Sequence, residues 1–183
     1  MTVQPMVWTV GHGNRTGEDF LALLKEAEIE CLVDVRAYPA SRRHPHFARA
    51  ALEKSLAGAG IRYLWEGAAL GGRRRPGKIS PHTALRNAGF RAYADHMMTE
   101  EFRQGAERLI ETGREQRTAV MCAERLPWQC HRWFISDYLT AHFVRVAHLV
   151  NKGAEQEHRL SAAARLREGG LLYDGETQRD IEF

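Results

Sequence analysis

The chain has 183 residues, 44% of them hydrophobic and 27% charged, with a formal net charge of +3. These figures suit one globular domain with a proper core and exclude a disordered or low-complexity chain. Three cysteines are too few for a disulfide framework and point to a reducing, cytoplasmic setting, and no run reaches the ~18 apolar residues of a membrane span.

Short apolar runs alternate with longer amphipathic ones, which reads as strands alternating with helices. Residues 1–10 lack a basic segment followed by an apolar one, so no signal peptide is expected. Residues 6–10 form the first expected strand, running into the turn Gly11-His12-Gly13-Asn14. A helix is expected over 17–28, capped by Thr16 with Asp19 three residues on, and with Phe20, Leu24 and Ala27 on one face. The second strand, 31–35, is nearly all apolar, as buried parallel strands are. Residues 36–47 hold two prolines, two histidines and three arginines and read as a loop. A helix over 48–59, stopped at Gly58 or Gly60, leads to a third strand at 61–65.

A Gly/Arg/Pro-rich stretch follows over 67–81, then helices over about 90–98 and 100–111. The fourth strand is expected at 118–122, a helix at 130–141 and the fifth strand at 144–150. The last thirty residues are weakly patterned, with a helix expected over 159–167. The whole of 1–183 therefore reads as a single α/β domain, its core over about 6–150 and an extension over 151–183. Its fold class is a three-layer, mostly parallel five-stranded sheet with helices on both faces, Rossmann-like or flavodoxin-like.

In that architecture ligands bind beyond the carboxyl ends of the strands, near the switch in strand order. Chain direction alone places Gly11 and His12, Asp34 to Arg36, the Gly71-Gly72-Arg73 region and Cys122 to Glu124 on one side of the sheet. Two stretches, 36–49 and 67–94, carry ten of the 26 Lys and Arg residues and no acid. The rest of the molecule is net negative. Such segregation points to an anionic partner: a nucleotide, a phosphorylated metabolite or nucleic acid.

The sharpest segment is Cys122-Ala-Glu124, followed by Cys130-His131-Arg132. One cysteine ends a buried strand and the second opens a helix beside two potentially cationic side chains. The helix dipole and those neighbours favour thiolate, the nucleophilic form. Cys130 is accordingly expected to react with an alkylating agent faster than Cys31, which begins a buried strand. Glu124 and His131 are candidates for moving protons. Arg36, Arg42, Arg73 and Arg132 are the candidate anion clamp, with Ser41 beside them. Gly11, Asn14, Gly71 and Gly72 are turn positions where backbone approaches a ligand. His12 shares the first of these turns, and Asp34 is placed to orient Arg36 or His12.

His12, Cys122, Cys130 and His131 would make a zinc set, but Cys-x7-Cys-His lacks the close cysteine pair of structural zinc sites, so no metal is expected. No Walker loop and no dinucleotide fingerprint occur, so no cofactor is expected.

Taken in order, these motifs resemble the bacterial and archaeal family called domain of unknown function 488. The resemblance rests on Gly-His-Gly-Asn at 11–14 and Asp-Val-Arg at 34–36 with Pro39, Ser41, Arg42 and Phe47. It continues through Leu70-Gly71-Gly72, Tyr93, Met97 and Phe102 to Cys-Ala-Glu at 122–124 and Cys-His-Arg at 130–132. Gly13 stands where the family's first motif usually has serine. The resemblance implies an α/β fold and no settled reaction. The residues themselves favour an enzyme of transferase or hydrolase type acting on a nucleotide-like or phosphorylated substrate. A nucleic-acid-binding protein using the same loops, and a thiol redox or metal-binding protein, are the alternatives.

Overall fold

The computed structural model describes residues 4–175. The chain runs β1 (Met6–Gly11), α1 (Gly17–Glu26), β2 (Cys31–Asp34), α2 (Arg49–Gly58), β3 (Arg62–Trp65), α3 (Gly67–Leu70), α4 (Ala88–Met97) and α5 (Glu100–Glu115). It continues through β4 (Thr118–Cys122), α6 (Arg132–Ala141), β5 (Arg145–Asn151), β6 (Ala154–Glu157), β7 (Ala164–Arg167) and β8 (Gly170–Tyr173). β1 to β5 pair in parallel. β2 and β4 are buried at every position because helices cover both faces of the sheet.

Successive strand residues feed two cores. Val7, Val33, Val120 and Val146 join Tyr93, Phe102 and Phe134 from α4, α5 and α6. Trp8, Val10, Leu32, Met121 and Leu149 join Phe20 and Leu24 of α1 and Leu52 and Leu56 of α2. The helix starts are fixed locally: Thr16, Asn87 and Thr99 each accept a backbone N–H three residues on.

The six-stranded sheet has the order β3-β2-β4-β1-β5-β6. From β1 and β2 the chain runs toward the β3 edge through α1 and α2. From β3 and β4 it runs back toward β5 through α3 to α6. Right-handed crossovers put connections of opposite direction on opposite faces, and the two cores divide in that way. The end of β4 therefore lies between β1 and β2, whose chains both leave to the other face. Switch points flank it on both sides, and a crevice opens above its last residue, Cys122.

The C-terminal region departs from expectation. β6 adds a sixth, antiparallel strand to β5, which its exposed Ala-Glu-Gln-Glu sequence does not announce. The helix expected over 159–167 is absent. Ala164–Arg167 is instead β7, paired antiparallel with β8 across a two-residue turn at Glu168 and Gly169, with positive φ at Gly169 and at Gly170, the first residue of β8. Leu171 and Tyr173 on β8 are buried, so this hairpin packs on the α4–α6 core rather than trailing from it. Residues 176–183 of the expected extension lie outside the described residues.

The segment is tied down by buried Asp137 of α6. Its carboxylate accepts His158 Nε2 at 2.9 Å, the Ser161 backbone N–H at 2.9 Å and hydroxyl at 2.7 Å, and the Tyr173 hydroxyl at 2.9 Å. With His158 donating from Nε2, its Nδ1 accepts His148 Nε2–H at 3.0 Å, and His148 Nδ1 accepts the Thr9 hydroxyl at 2.7 Å. One buried hydrogen-bonded chain of two imidazoles thus links β1, β5, α6 and the hairpin. No helix among the described residues is long and apolar enough to cross a membrane.

Candidate functional site

Beyond the sheet, the β1 and β4 chains stay paired. His12 N–H donates to the Cys122 carbonyl at 3.0 Å and Gly13 N–H to the Ala123 carbonyl at 2.8 Å. Gly11 must be glycine: a Cβ there would stand 1.7 Å from the Glu124 carbonyl oxygen. Gly72 approaches the other side of the site, where a Cβ would meet His131 Nδ1 at 2.9 Å. Gly71 presses on the Gly67 carbonyl and Ala37. The two glycine motifs are therefore close-approach positions that let separate loops converge on Cys122.

They enclose a cavity of about 610 Å³ at the carboxyl ends of the strands. Cys122, Glu124 and His131 line it, as do His12 and Asn14 from the β1 turn. Arg36 and Ser41 from the β2 loop and Gly72 and Arg73 from the α3 loop are the other expected residues that line it. Five other expected residues sit behind this wall or away from it: Gly11, Asp34, Gly71, Cys130 and Arg132. Arg42 also faces elsewhere; its neighbour Arg43 lines the cavity, with His44, Arg125 and Gln129. Sequence reasoning gave no role to His44, Arg125 and Gln129, whereas Ser41-Arg42-Arg43 reads as a run of guanidiniums suited to phosphate. Of that adjacent arginine pair it is Arg43, and not Arg42, that lines the cavity.

The thiols differ sharply. Cys122 Sγ faces the cavity and lies 3.8 Å from His131 Nδ1. His131 Nε2 donates to the Val35 carbonyl at 3.1 Å, which leaves a lone pair on Nδ1 toward the sulfur. A hydrogen bond from Cys130 brings the Cys122 thiol down to about 7 against the opposing effect of burial; Arg132 and the backbone N–H groups of Glu124 and Ala123 assist. Burial, reinforced by the neighbouring Cys122, pushes the Cys130 thiol well above its ordinary range. Burial also lowers His131, keeping the imidazole neutral. The expected activation of Cys130 by a helix dipole does not operate, because α6 begins at Arg132 and Cys130 sits in extended backbone behind it.

Arg132 is 1% exposed and does not touch the cavity. It donates to the Glu124 carbonyl, to Cys130 Sγ at 3.2 Å and to the Thr9 hydroxyl at 3.4 Å. It thus braces the Cys-Ala-Glu loop from beneath instead of holding an anion. No carboxylate pairs with it among the described residues, so its buried charge favours thiolate nearby. Glu124 itself is exposed on the cavity rim, not desolvated within it.

Asp34 performs the orienting role. Fully buried, it accepts Arg36 Nε at 2.9 Å, Arg36 Nη2 at 2.6 Å, the Arg36 backbone N–H at 3.0 Å and the Tyr63 hydroxyl at 2.8 Å. Arg36 is 6% exposed, and its Nη1 has no protein partner among the described residues. One edge of a buried guanidinium is thus fixed, and the other is available to an anion in the cavity. His12 stacks on Phe47 with ring centroids 4.3 Å apart and holds the Gly13 carbonyl through Nδ1. Burial, opposed by that bond and reinforced by Arg36, lowers His12 to about 4. It is a neutral wall of the cavity at physiological pH.

Cys122, Cys130 and His131 each bring one ligating atom within 4.8 Å of the others. The spacing that argued against a metal therefore does not keep them apart. The 3-10 turn Pro127–Gln129 folds the loop back so that Cys130 meets the strand end. His12, the fourth member of the set considered from the sequence, is outside this cluster.

Residues 16–139 match the family model described as "Domain of unknown function DUF488". The matched span holds Asp34, Arg36, the Gly71-Gly72 pair and both cysteine motifs, and it begins after the Gly11–Asn14 turn. No curated protein and no solved structure matches the chain.

Proposed function

The chain belongs to the DUF488 family, whose description assigns it no reaction, and from that premise we propose that it is an enzyme of transferase or hydrolase type acting on a nucleotide-like or otherwise phosphorylated substrate. One juxtaposition carries the reading: the open edge of Arg36 and the Cys122–His131 pair share one cavity at the switch point of the sheet. Phosphate oxygens bind Arg36 Nη1, with Arg43 and Arg73 contributing positive charge from the wall. His131 Nδ1 takes the Cys122 proton as sulfur attacks the electrophilic carbon or phosphorus. The bond to the leaving group breaks, and the imidazolium returns its proton to that group. Water, or an acceptor hydroxyl in a transferase, then cleaves the link to sulfur and restores Cys122, while Glu124 at the rim accepts its proton. The three free thiols favour a reducing, cytoplasmic compartment.

Thermal unfolding of the reduced protein in chelator, screened against nucleotides and sugar phosphates, tests this. One ligand class is expected to stabilise the protein, by about 2.7 kcal/mol at a hundredfold excess over Kd. Arg36→Ala abolishes the stabilisation, whereas Cys122→Ser keeps it and loses turnover. Absence of stabilisation by every class, or an Arg36→Ala protein that binds normally, overturns the proposal.

A second reading, a nucleic acid bound across the same loops, is favoured by one observation. Tyr38 is 72% exposed with the Arg73 guanidinium 5.9 Å from its ring centroid, on the same cavity wall as Arg43, and neither arginine has a carboxylate partner among the described residues. Oligonucleotide binding that weakens steeply with added salt, together with indifference to mononucleotides, selects this reading over the first.

A further inference from the structure

We propose that Cys122, Cys130 and His131 form a binding site for one soft divalent cation, zinc in the first instance, and that its capture silences the Cys122 thiol. Their ligating atoms lie within 4.8 Å of one another, and Cys122 Sγ to His131 Nδ1 is 3.8 Å. Tetrahedral zinc, with bonds of about 2.3 Å to sulfur and 2.0–2.1 Å to nitrogen, holds its ligand atoms about 3.5–3.8 Å apart. Closing the cluster onto an ion is a matter of side-chain adjustment.

The surroundings are those a metal centre requires. The imidazole is already oriented by its Nε2–H on the Val35 carbonyl, so the lone pair on Nδ1 faces the sulfurs. Each sulfur has an N–H donor at hand: Arg132 Nε lies 3.2 Å from Cys130 Sγ, and the backbone N–H groups of Ala123 and Glu124 address Cys122. Binding displaces two thiol protons, so the dication with two thiolates adds no net charge beside buried Arg132. Three protein ligands leave a fourth position. Cys122 and His131 line the cavity while Cys130 lies behind them, so that position opens into the cavity and not into the core.

The effect on activity rests on the reading of Cys122 as the attacking thiol; the binding of metal does not. With the ion in place, the sulfur lone pair and the His131 lone pair are both committed, and neither nucleophile nor base remains.

The test uses the full chain, reduced and stripped with chelator, then titrated with cobalt(II). One equivalent is expected to give the near-ultraviolet sulfur-to-cobalt charge-transfer band and the visible bands of a tetrahedral site, both removed by added zinc. Cys130→Ala weakens cobalt binding at least about tenfold and His131→Ala does likewise. Zinc protects Cys122 from alkylation in the native protein and not in Cys130→Ala. Should Cys130→Ala fail to fold, Cys122→Ser, altered on the cavity wall, serves as the second variant and is expected to lose most of the charge-transfer intensity. No charge-transfer band, or one unaffected by these changes, overturns the site. Nucleotide-class stabilisation in chelator without cobalt bands overturns the metal site alone. Cobalt bands without any such stabilisation overturn the proposed function alone.

Discussion

Cys122 and Cys130 show how far one turn of chain changes a side chain's chemistry. Both are 6% exposed, yet only Cys122 borders the cavity and meets an imidazole lone pair. In the folded, reduced and metal-free protein, iodoacetamide is therefore expected to modify Cys122 first, with Cys130 and Cys31 protected until unfolding. Peptide mapping by mass spectrometry against time reads the order, and equal rates at the three thiols would remove the case for a reactive Cys122. The place of Cys122 was legible in the sequence because an apolar strand ended on it. The states of Cys130 and Arg132 were not. A dipole argument assigns charge by position along a helix, whereas burial behind the 3-10 turn decides the outcome for Cys130. The pairing of Arg36 was readable because Asp34 stands two residues before it at the end of β2; Arg132 has no such neighbour in sequence, and its carbonyl partners come from the loop it braces.

Helix α6 carries the site at one end and the C-terminal hairpin along its length. His131 precedes its first residue, and Asp137 one and a half turns on gathers His158, Ser161 and Tyr173. Asp137→Ala leaves a buried imidazole N–H and a buried phenol unsatisfied, and is expected to cost about 3–5 kcal/mol. Urea unfolding with unchanged slope measures it, and a loss below about 1 kcal/mol would show that the hairpin is held by its apolar contacts alone. The five parallel strands were legible because strands buried on both faces are apolar throughout. β6 escaped notice because an exposed edge strand needs no apolar face, and β7 because its Arg-Leu-Arg alternation is too short to separate from a helical turn. The sequence mark of this hairpin is Gly169 in the two-residue turn before Gly170 opens β8, and both glycines take positive φ.

Across the molecule, several histidines are buried uncharged. Burial lowers His12 from its ordinary 6.5 to about 4 and His148 from 6.5 to about 3, the latter helped by His158 and Arg132. Above pH 6.5 these rings are neutral in both folded and unfolded chains and leave stability unchanged with pH. Between 6.5 and the lowered values the unfolded chain binds protons that the folded one refuses, so stability falls as pH falls. The melting temperature is expected to slip from pH 8 to 7, where the folded Cys122 thiolate takes up its proton, and to decline further below about 6.5, with a shallower decline below 6.5 in His148→Gln. Calorimetry across that range checks it; an identical decline in the variant would assign the acid sensitivity to other groups.

The sheet order gives the family match a practical edge. β1 precedes residue 16 and β5 follows residue 139, yet β1 is the neighbour of β4 on the side away from β2. An expression clone bounded by the match would strip one flank of the very strand that ends in Cys122. That naked edge, apolar and lined with unpaired amides, is a template for sticking to its own copies. The fragment most recognisable as a family member is the one least able to stay in solution.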